Sequence, residues 1–208
     1  MRELNILICG VGGQGNVLLE RVLGNSAMKE GYLVRGADTF GAAQRGGSVL
    51  SHIRIGSEVS SSLVPQGRCD IILGLEPGEA LSTAVNFLRK DGLVIVNVCP
   101  ILPAKVKVGD LTYPSIQTIL GLLKKLTQNV IVLDATTLAK ETTGSERAMN
   151  IVMIGTLMGV GVLPINSDTV IKVIERMTGG SNIQAFKAGF EIGKRRQGLI
   201  HAICGVNR

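Results

Sequence analysis

The sequence predicts an α/β fold: a three-layer wound domain with a mostly parallel or mixed sheet and an inserted β-hairpin. Three observations carry that prediction. Short apolar runs at Leu4–Cys9, Ile71–Leu75, Leu93–Val98 and Val130–Leu133 have the character of strands buried on both faces. Segments with apolar residues three and four apart separate these runs, as helices covering a sheet would. Ser48 to Ile55 instead alternates, with Val49, Ser51, Ile53 and Ile55 on one face and Leu50, His52 and Arg54 on the other.

The elements follow in order. Leu4–Cys9 is a first strand, and a glycine turn leads into a helix from Asn16 to Glu30, with Val17, Leu18, Val22 and Leu23 at helical spacing and Gly31 as its stop. Tyr32–Arg35 reads as a short second strand. Ser48–Ile55 turns at Gly56-Ser57-Glu58 into Val59–Val64, which together form the inserted hairpin. After the buried strand at 71–75, a helix is expected from about Gly78 to Leu88, and Asp91-Gly92 turns the chain into Leu93–Val98. Ser115 suits the cap of a helix reaching Lys125, and Ser145, Ser167 and Asn182 suit the caps of the last three helices. No repeat, low-complexity tract or linker divides the chain, so 1–208 reads as a single domain.

Composition excludes several functions. Hydrophobic residues make up 45% of the 208 positions and mean hydropathy is +0.33, enough for a large core. Aromatics are 3% with no Trp, a poor supply for stacking on nucleic acid. The net charge of +6 owes much to Lys187, Lys194, Arg195, Arg196 and Arg208, which read as a solvated helix end complementing its dipole. The longest apolar run, Ile151–Ile165, falls short of the ~20 residues of a membrane span. With Met1-Arg2-Glu3 leading straight into a strand, a soluble cytoplasmic protein is expected, binding neither nucleic acid nor membrane. Cys9, Cys69, Cys99 and Cys204 lie far apart with no C-x-x-C pair, unlike local zinc or iron–sulfur signatures. They read as buried thiols in a reducing compartment.

Three segments carry chemistry. Gly10-Val11-Gly12-Gly13-Gln14-Gly15 matches G-x-G-x-x-G between a strand and a helix, where backbone N–H groups and the helix dipole favour an anion. Asp38 lies near the position of a ribose-binding acid, which keeps a dinucleotide reading open beside a ligand-free tight crossover. Asn16 and Val17 replace the Lys and Ser/Thr of a Walker loop. The second segment is Gly41-Ala42-Ala43-Gln44-Arg45-Gly46-Gly47-Ser48. Its flexible backbone suits placing Gln44 and Arg45 against a carboxylate, a phosphate or a partner carbonyl, or simply a loop with a surface ion pair. The third is Leu75-Glu76-Pro77-Gly78-Glu79-Ala80 at a strand's C-terminal end. There Glu79 reads as a capping residue and Glu76 as the functional candidate. His52, placed on an outward or interface-facing side, and His201 form no triad or metal set. Neither G-x-S-x-G nor H-E-x-x-H occurs, so no catalytic residue or metal ligand is expected in the chain.

Taken in order, Gly10–Gly15, Ala43–Val49 with Ser51-His52-Ile53-Arg54, and Asp70–Pro77 resemble the gamma-type domain of the 2-oxoacid:ferredoxin oxidoreductases. Val94–Asn97, Pro100–Pro103 and Asn150–Gly155 extend the likeness, which covers most of Asn5 to Pro164. Gly78 and Ser82 depart from it, standing where larger or basic residues are expected. The resemblance implies a subunit of an enzyme that oxidatively decarboxylates an aryl 2-oxoacid, such as indolepyruvate or an arylpyruvate, to acyl-CoA, CO2 and reduced ferredoxin. Thiamine diphosphate, Mg2+ and the iron–sulfur clusters would belong to a larger partner subunit, with CoA as co-substrate and ferredoxin reached through the complex. This chain would complete the cleft and the assembly. Gly10, Gly12, Gly13, Gln14, Gly15, Gln44, Arg45, Gly46, Gly47 and Glu76 would be its ligand-binding residues, near CoA phosphates or the substrate carboxylate.

Two other readings stand beside it. One is a free-standing NAD-binding protein using Gly10, Gly12, Gly15 and Asp38. The other is a purely structural interface subunit contacting its partner through His52, Arg54 and the hairpin edge. An isolated chain is a possible homodimer, with the Gly155/Gly159 helix as one candidate face, although such glycines commonly serve close packing within a chain.

Overall fold

The computed structural model describes residues 3–40, 47–101 and 112–197. The chain runs from β1 (Leu4–Val11) through the glycine turn into α1 (Asn16–Lys29), then β2 (Leu33–Phe40) and β3 (Ser48–Gly56). β4 (Cys69–Gly74), α2 (Pro77–Phe87) and β5 (Leu88–Asn97) follow. α3 (Ile116–Leu126), β6 (Val130–Leu133), α4 (Ala135–Thr143), α5 (Met149–Val160), α6 (Ser167–Thr178) and α7 (Ile183–Lys194) complete the described elements.

The six strands form one mixed sheet in the order β2-β3-β1-β4-β5-β6. β1, β4, β5 and β6 are mutually parallel along their shared edges, whereas β3 runs antiparallel to both β1 and β2. Because side chains alternate along a strand, Ile6 and Ile8 point to one face of the sheet, Leu7 and Cys9 to the other. The first face packs on α1 and α4–α7 with Leu19, Leu23, Ile53, Leu73 and Phe186 buried. The second packs on α2 and α3 with Ile72, Val94, Val96, Ile119 and Leu123. This is the expected three-layer arrangement.

α5 is buried along its whole length and lies across α7. A Cβ on Gly155 would stand 2.1 Å from the Phe186 carbonyl oxygen, and one on Gly189 2.1 Å from that of Val152. Gly159 and Gly193 repeat the pattern against Phe190 and Thr156. The Gly155/Gly159 face considered for self-association is therefore filled by the chain's own α7. Among the described residues, no helix is long and apolar enough to cross a membrane.

The hairpin differs from expectation. Ser48–Gly56 pairs with β2, which precedes it, and Val59–Val64 forms no strand. β3 already has β1 on its other side, so neither ladder edge is open to a following strand. Residues 57–68 serve instead as a side-chain partner strip. Arg54 donates to the carbonyls of Ser61 (3.0 Å) and Leu63 (3.2 Å), and the Val64 amide donates to His52 Nδ1 (3.1 Å). His52, read as outward or interface-facing, is only 4% exposed and meets the Phe87 ring edge-on. Asn166 rather than Ser167 caps α6, and Asn182 precedes α7 without a side-chain cap.

Candidate functional site

The glycine turn lies at the C-terminal end of β1, where the strand order departs in two directions, β3 on one side and β4 on the other. Wound sheets open a crevice at such a point. Gly13 and Gly15 have φ of +101° and +89°, a left-handed backbone that a side chain would strain. The turn is held from several sides. Gln14 accepts from the Val11 N–H through Oε1 (2.7 Å) and donates from Nε2 to the Leu75 carbonyl (3.1 Å). The Gly12 N–H donates to the Gly47 carbonyl (2.9 Å). Asn16 reaches back to the carbonyls of Ile8 and Val49, both at 3.2 Å. Asn150 donates to the Gln14 carbonyl (3.4 Å), and its amide occupies the space a Cβ on Gly15 would need.

α1 starts at Gly15 with no side-chain cap. α5 instead continues a short 3-10 turn, Glu146–Ala148, whose N–H groups are engaged: Ser145 Oγ accepts from the Arg147 N–H (3.3 Å), and the Ala148 and Met149 N–H groups donate to the carbonyls of Ser145 and Glu146. Both helix starts line a cleft of about 480 Å3 with Gly13, Thr136, Cys99 and Arg147. The uncapped N–H groups of α1 and the positive ends of the helix dipoles make such a place favourable to anions. Glu146, also in the lining, is engaged by Lys140 at 3.1 Å, while Arg147 has no ion-pair partner among the described residues. The cleft thus sets an Arg147 guanidinium without an ion-pair partner among the described residues beside the uncapped start of α1.

On the far side of the Leu75 carbonyl sits a second cluster. Glu76 is 2% exposed and caps α2, accepting from the Glu79 N–H at 2.8 Å. Its other oxygen accepts from the Tyr113 hydroxyl, which in turn accepts from the Gly78 N–H at 3.0 Å. Glu79 reaches across to accept from Ser48 Oγ (2.6 Å). Glu76 rather than Glu79 is the cap, and each of the two glutamates also makes a contact far along the chain. Burial holds the Glu79 carboxyl above its ordinary range, opposed by the Ser48 hydrogen bond. Burial and the Glu76 carboxylate together hold the Tyr113 phenol well above its ordinary range. The Cys9 thiol, fully enclosed beneath this edge, is pushed up to about 12 by burial and stays protonated.

The structure therefore brings Gly10, Gly12, Gly13, Gln14, Gly15, Gly47 and Glu76 to one sheet edge, with the Leu75 carbonyl as the bridge. Gln44, Arg45 and Gly46 lie outside the described residues. Asp38 does not join the cluster: β3 separates β2 from β1, and Asp38 accepts from Ser51 Oγ.

A model of the pyruvate ferredoxin/flavodoxin oxidoreductase family matches residues 5–192. The chain belongs to that family. It is 40% identical over 90% of its length to the indolepyruvate oxidoreductase subunit IorB of Archaeoglobus fulgidus, covering 94% of that protein. The IorB of Thermococcus kodakarensis is 37% identical over 96% of this chain and all of its own. The gamma subunit of a keto/oxoacid ferredoxin oxidoreductase from Geobacter sulfurreducens shares the fold, with a TM-score of 0.67 at 21% identity over 92% of this chain and 99% of its own. So does part of the 2-oxoglutarate:ferredoxin oxidoreductase of Magnetococcus marinus, with a TM-score of 0.70 at 20% identity over 94% of this chain and 32% of that one.

Within this small-subunit member of the oxidoreductase family, no three of the described His, Cys, Asp or Glu residues converge as a metal set. Cys9 and Cys69 are buried as separate free thiols. These residues do not fit a cluster or metal, and no redox step is assigned to them. Three further residues lie at this edge: Asn97, which closes the Val94–Asn97 segment of the family likeness but has no site role there, and Thr136 and Arg147, which belong to none of the sequence motifs. Asn97 is fully buried, donates to the Leu75 carbonyl (3.1 Å) and to Thr136 Oγ1 (3.0 Å), and accepts from the Ala135 N–H (3.0 Å). Its one signal in the sequence is an amide closing an apolar strand, which buries only when its hydrogen bonds are met.

Proposed function

We propose that this chain is the cofactor-free small subunit of a 2-oxoacid:ferredoxin oxidoreductase acting on indolepyruvate or a related arylpyruvate. The curated relatives named for indolepyruvate oxidoreductase, matched over most of both chains, support the substrate class. In this reading a larger subunit carries thiamine diphosphate, Mg2+ and the iron–sulfur clusters. CoA is the co-substrate, and electrons leave the complex on ferredoxin. This chain's own residues perform binding and orientation. The carrying observation is the cleft where the uncapped start of α1, a preformed glycine turn and Arg147 meet. Such a site holds a phosphate or carboxylate without having to reorganise. The solved oxidoreductase of Magnetococcus marinus, described with 2-oxoglutarate, coenzyme A and succinyl-CoA bound, supports a CoA phosphate as the ligand.

Co-expression of the tagged chain with a large thiamine- and cluster-bearing subunit tests the assembly. Copurification and indolepyruvate-dependent reduction of ferredoxin that needs both chains are expected; activity indifferent to this chain overturns the proposal. In the assembled enzyme, Arg147→Ala and Arg45→Ala should each raise the KM for CoA about ten-fold with kcat little changed, as loss of a ground-state anion contact does. Unchanged CoA and 2-oxoacid affinities in both variants remove the arginines from the site.

A further inference from the structure

One polar atom at the cleft is left over. Asn150 is 5% exposed and forms part of the cleft wall, yet its Oδ1 has no hydrogen-bond partner among the described residues. Its Nδ2 is held by a single 3.4 Å bond to the Gln14 carbonyl. Buried amide oxygens are rarely left unpaired in a native fold unless water or a ligand completes them. Every other described buried asparagine at this edge is matched, Asn16 to two carbonyls and Asn97 to three partners. The orphan also sits beside the uncapped start of α1, whose free N–H groups are donors.

We infer that Asn150 Oδ1 is the acceptor for a hydroxyl or amide N–H carried next to the phosphate of the cleft's ligand, making Asn150 a specificity-determining residue. This rests on the reading of the cleft as a phosphate site. The start of α1 and Arg147 hold the anion and cannot distinguish one phosphate from another. The acceptor does, because a ligand lacking the donor leaves Oδ1 unpaired. Oδ1 is enclosed in the unliganded fold, and because the 3.4 Å bond to Gln14 is a weak hold, a turn of the amide on binding is enough to present Oδ1 to the ligand. Coenzyme A, with hydroxyls and amides flanking its phosphates, has the required donors; inorganic pyrophosphate offers the anion alone.

Calorimetry on the assembled enzyme with these two probes tests the inference. Asn150→Ala should weaken coenzyme A about ten-fold and leave pyrophosphate within about two-fold. Retained pyrophosphate binding also shows that the turn is intact. Equal weakening of both probes would reduce Asn150 to a support for the turn, and no weakening of either would remove it from the site. Should the variant fail to fold, the Asn150 side-chain 13Cγ resonance of the wild-type full-length chain decides: it should shift with coenzyme A and not with pyrophosphate. Identical responses to the two probes overturn the inference. If the wild-type protein binds neither probe, the phosphate reading itself fails and this inference with it. Normal wild-type binding that is indifferent to Asn150 sinks this inference alone.

Discussion

At His52 a buried imidazole accepts the Val64 N–H on Nδ1, so that nitrogen carries no proton in the fold. Burial lowers its pKa below the ordinary 6.5, with Asp38 opposing more weakly. The unfolded chain therefore takes up the proton first as pH falls. Stability from this residue is full above about pH 6.5 and is lost as pH drops through the folded value. Urea midpoints measured from about pH 8 to about pH 5 should fall on the acid side, and His52→Leu should flatten that fall. Parallel curves would assign the acid sensitivity elsewhere. The sequence showed which face His52 occupies but not its burial, because Val64, Phe87 and the strip before β4 reach it only through tertiary folding. Glu76 and Glu79 divide between local and distant causes. Glu76 caps the helix because it stands just before Pro77, with Glu79 three residues on, whereas the contacts to Tyr113 and Ser48 exist only once the chain has folded.

At the scale of elements, the α5–α7 crossing is the clearest case of sequence anticipating packing. The four glycines at 155, 159, 189 and 193 are spaced along two helix faces so that the backbones touch. Gly189→Ala would put a methyl 2.1 Å from the Val152 carbonyl, and is expected to cost roughly 1–3 kcal/mol through overpacking. At Gly121 in α3 an added methyl would meet nothing within 4 Å, so Gly121→Ala should stabilise by roughly 0.5–1 kcal/mol through the unfolded state and helix propensity. Urea denaturation of the two variants measures the contrast; equal effects would refute it. β6 at Val130–Leu133 and the Ser115 cap were legible because both signals are local. Val59–Val64 has the pattern of a strand without forming one, because apolar alternation states a capacity to pair, while a strand also needs an open ladder edge.

For the whole molecule, the decisive fact is that β3 stands between β1 and β2. In a dinucleotide-binding sheet the second strand lies beside the first, so its terminal acid reaches the ribose of a ligand on the glycine turn. Here Asp38 is one strand farther away and engaged with Ser51. Calorimetric titration of the isolated chain with NAD(H) is expected to show no saturable heat, and micromolar binding would reverse that expectation. The same strand order leaves the glycine turn free to face the cleft built from α1, α4 and α5.

The sequence by itself determined the strand and helix alternation, the two buried faces of the sheet and the position of the glycine turn. Hydrophobic period and glycine spacing act over a few residues, and the physics that reads them is local. Only the tertiary structure decided which strands are neighbours, what Glu76 and Glu79 reach across to, and how the turn is held. Those outcomes depend on hydrogen bonds between residues far apart in the chain, such as Gln14 with Leu75 and Asn150 with Gln14, 61 and 136 positions away. A buried amide is stable only where its partner arrives, and no local pattern announces that partner.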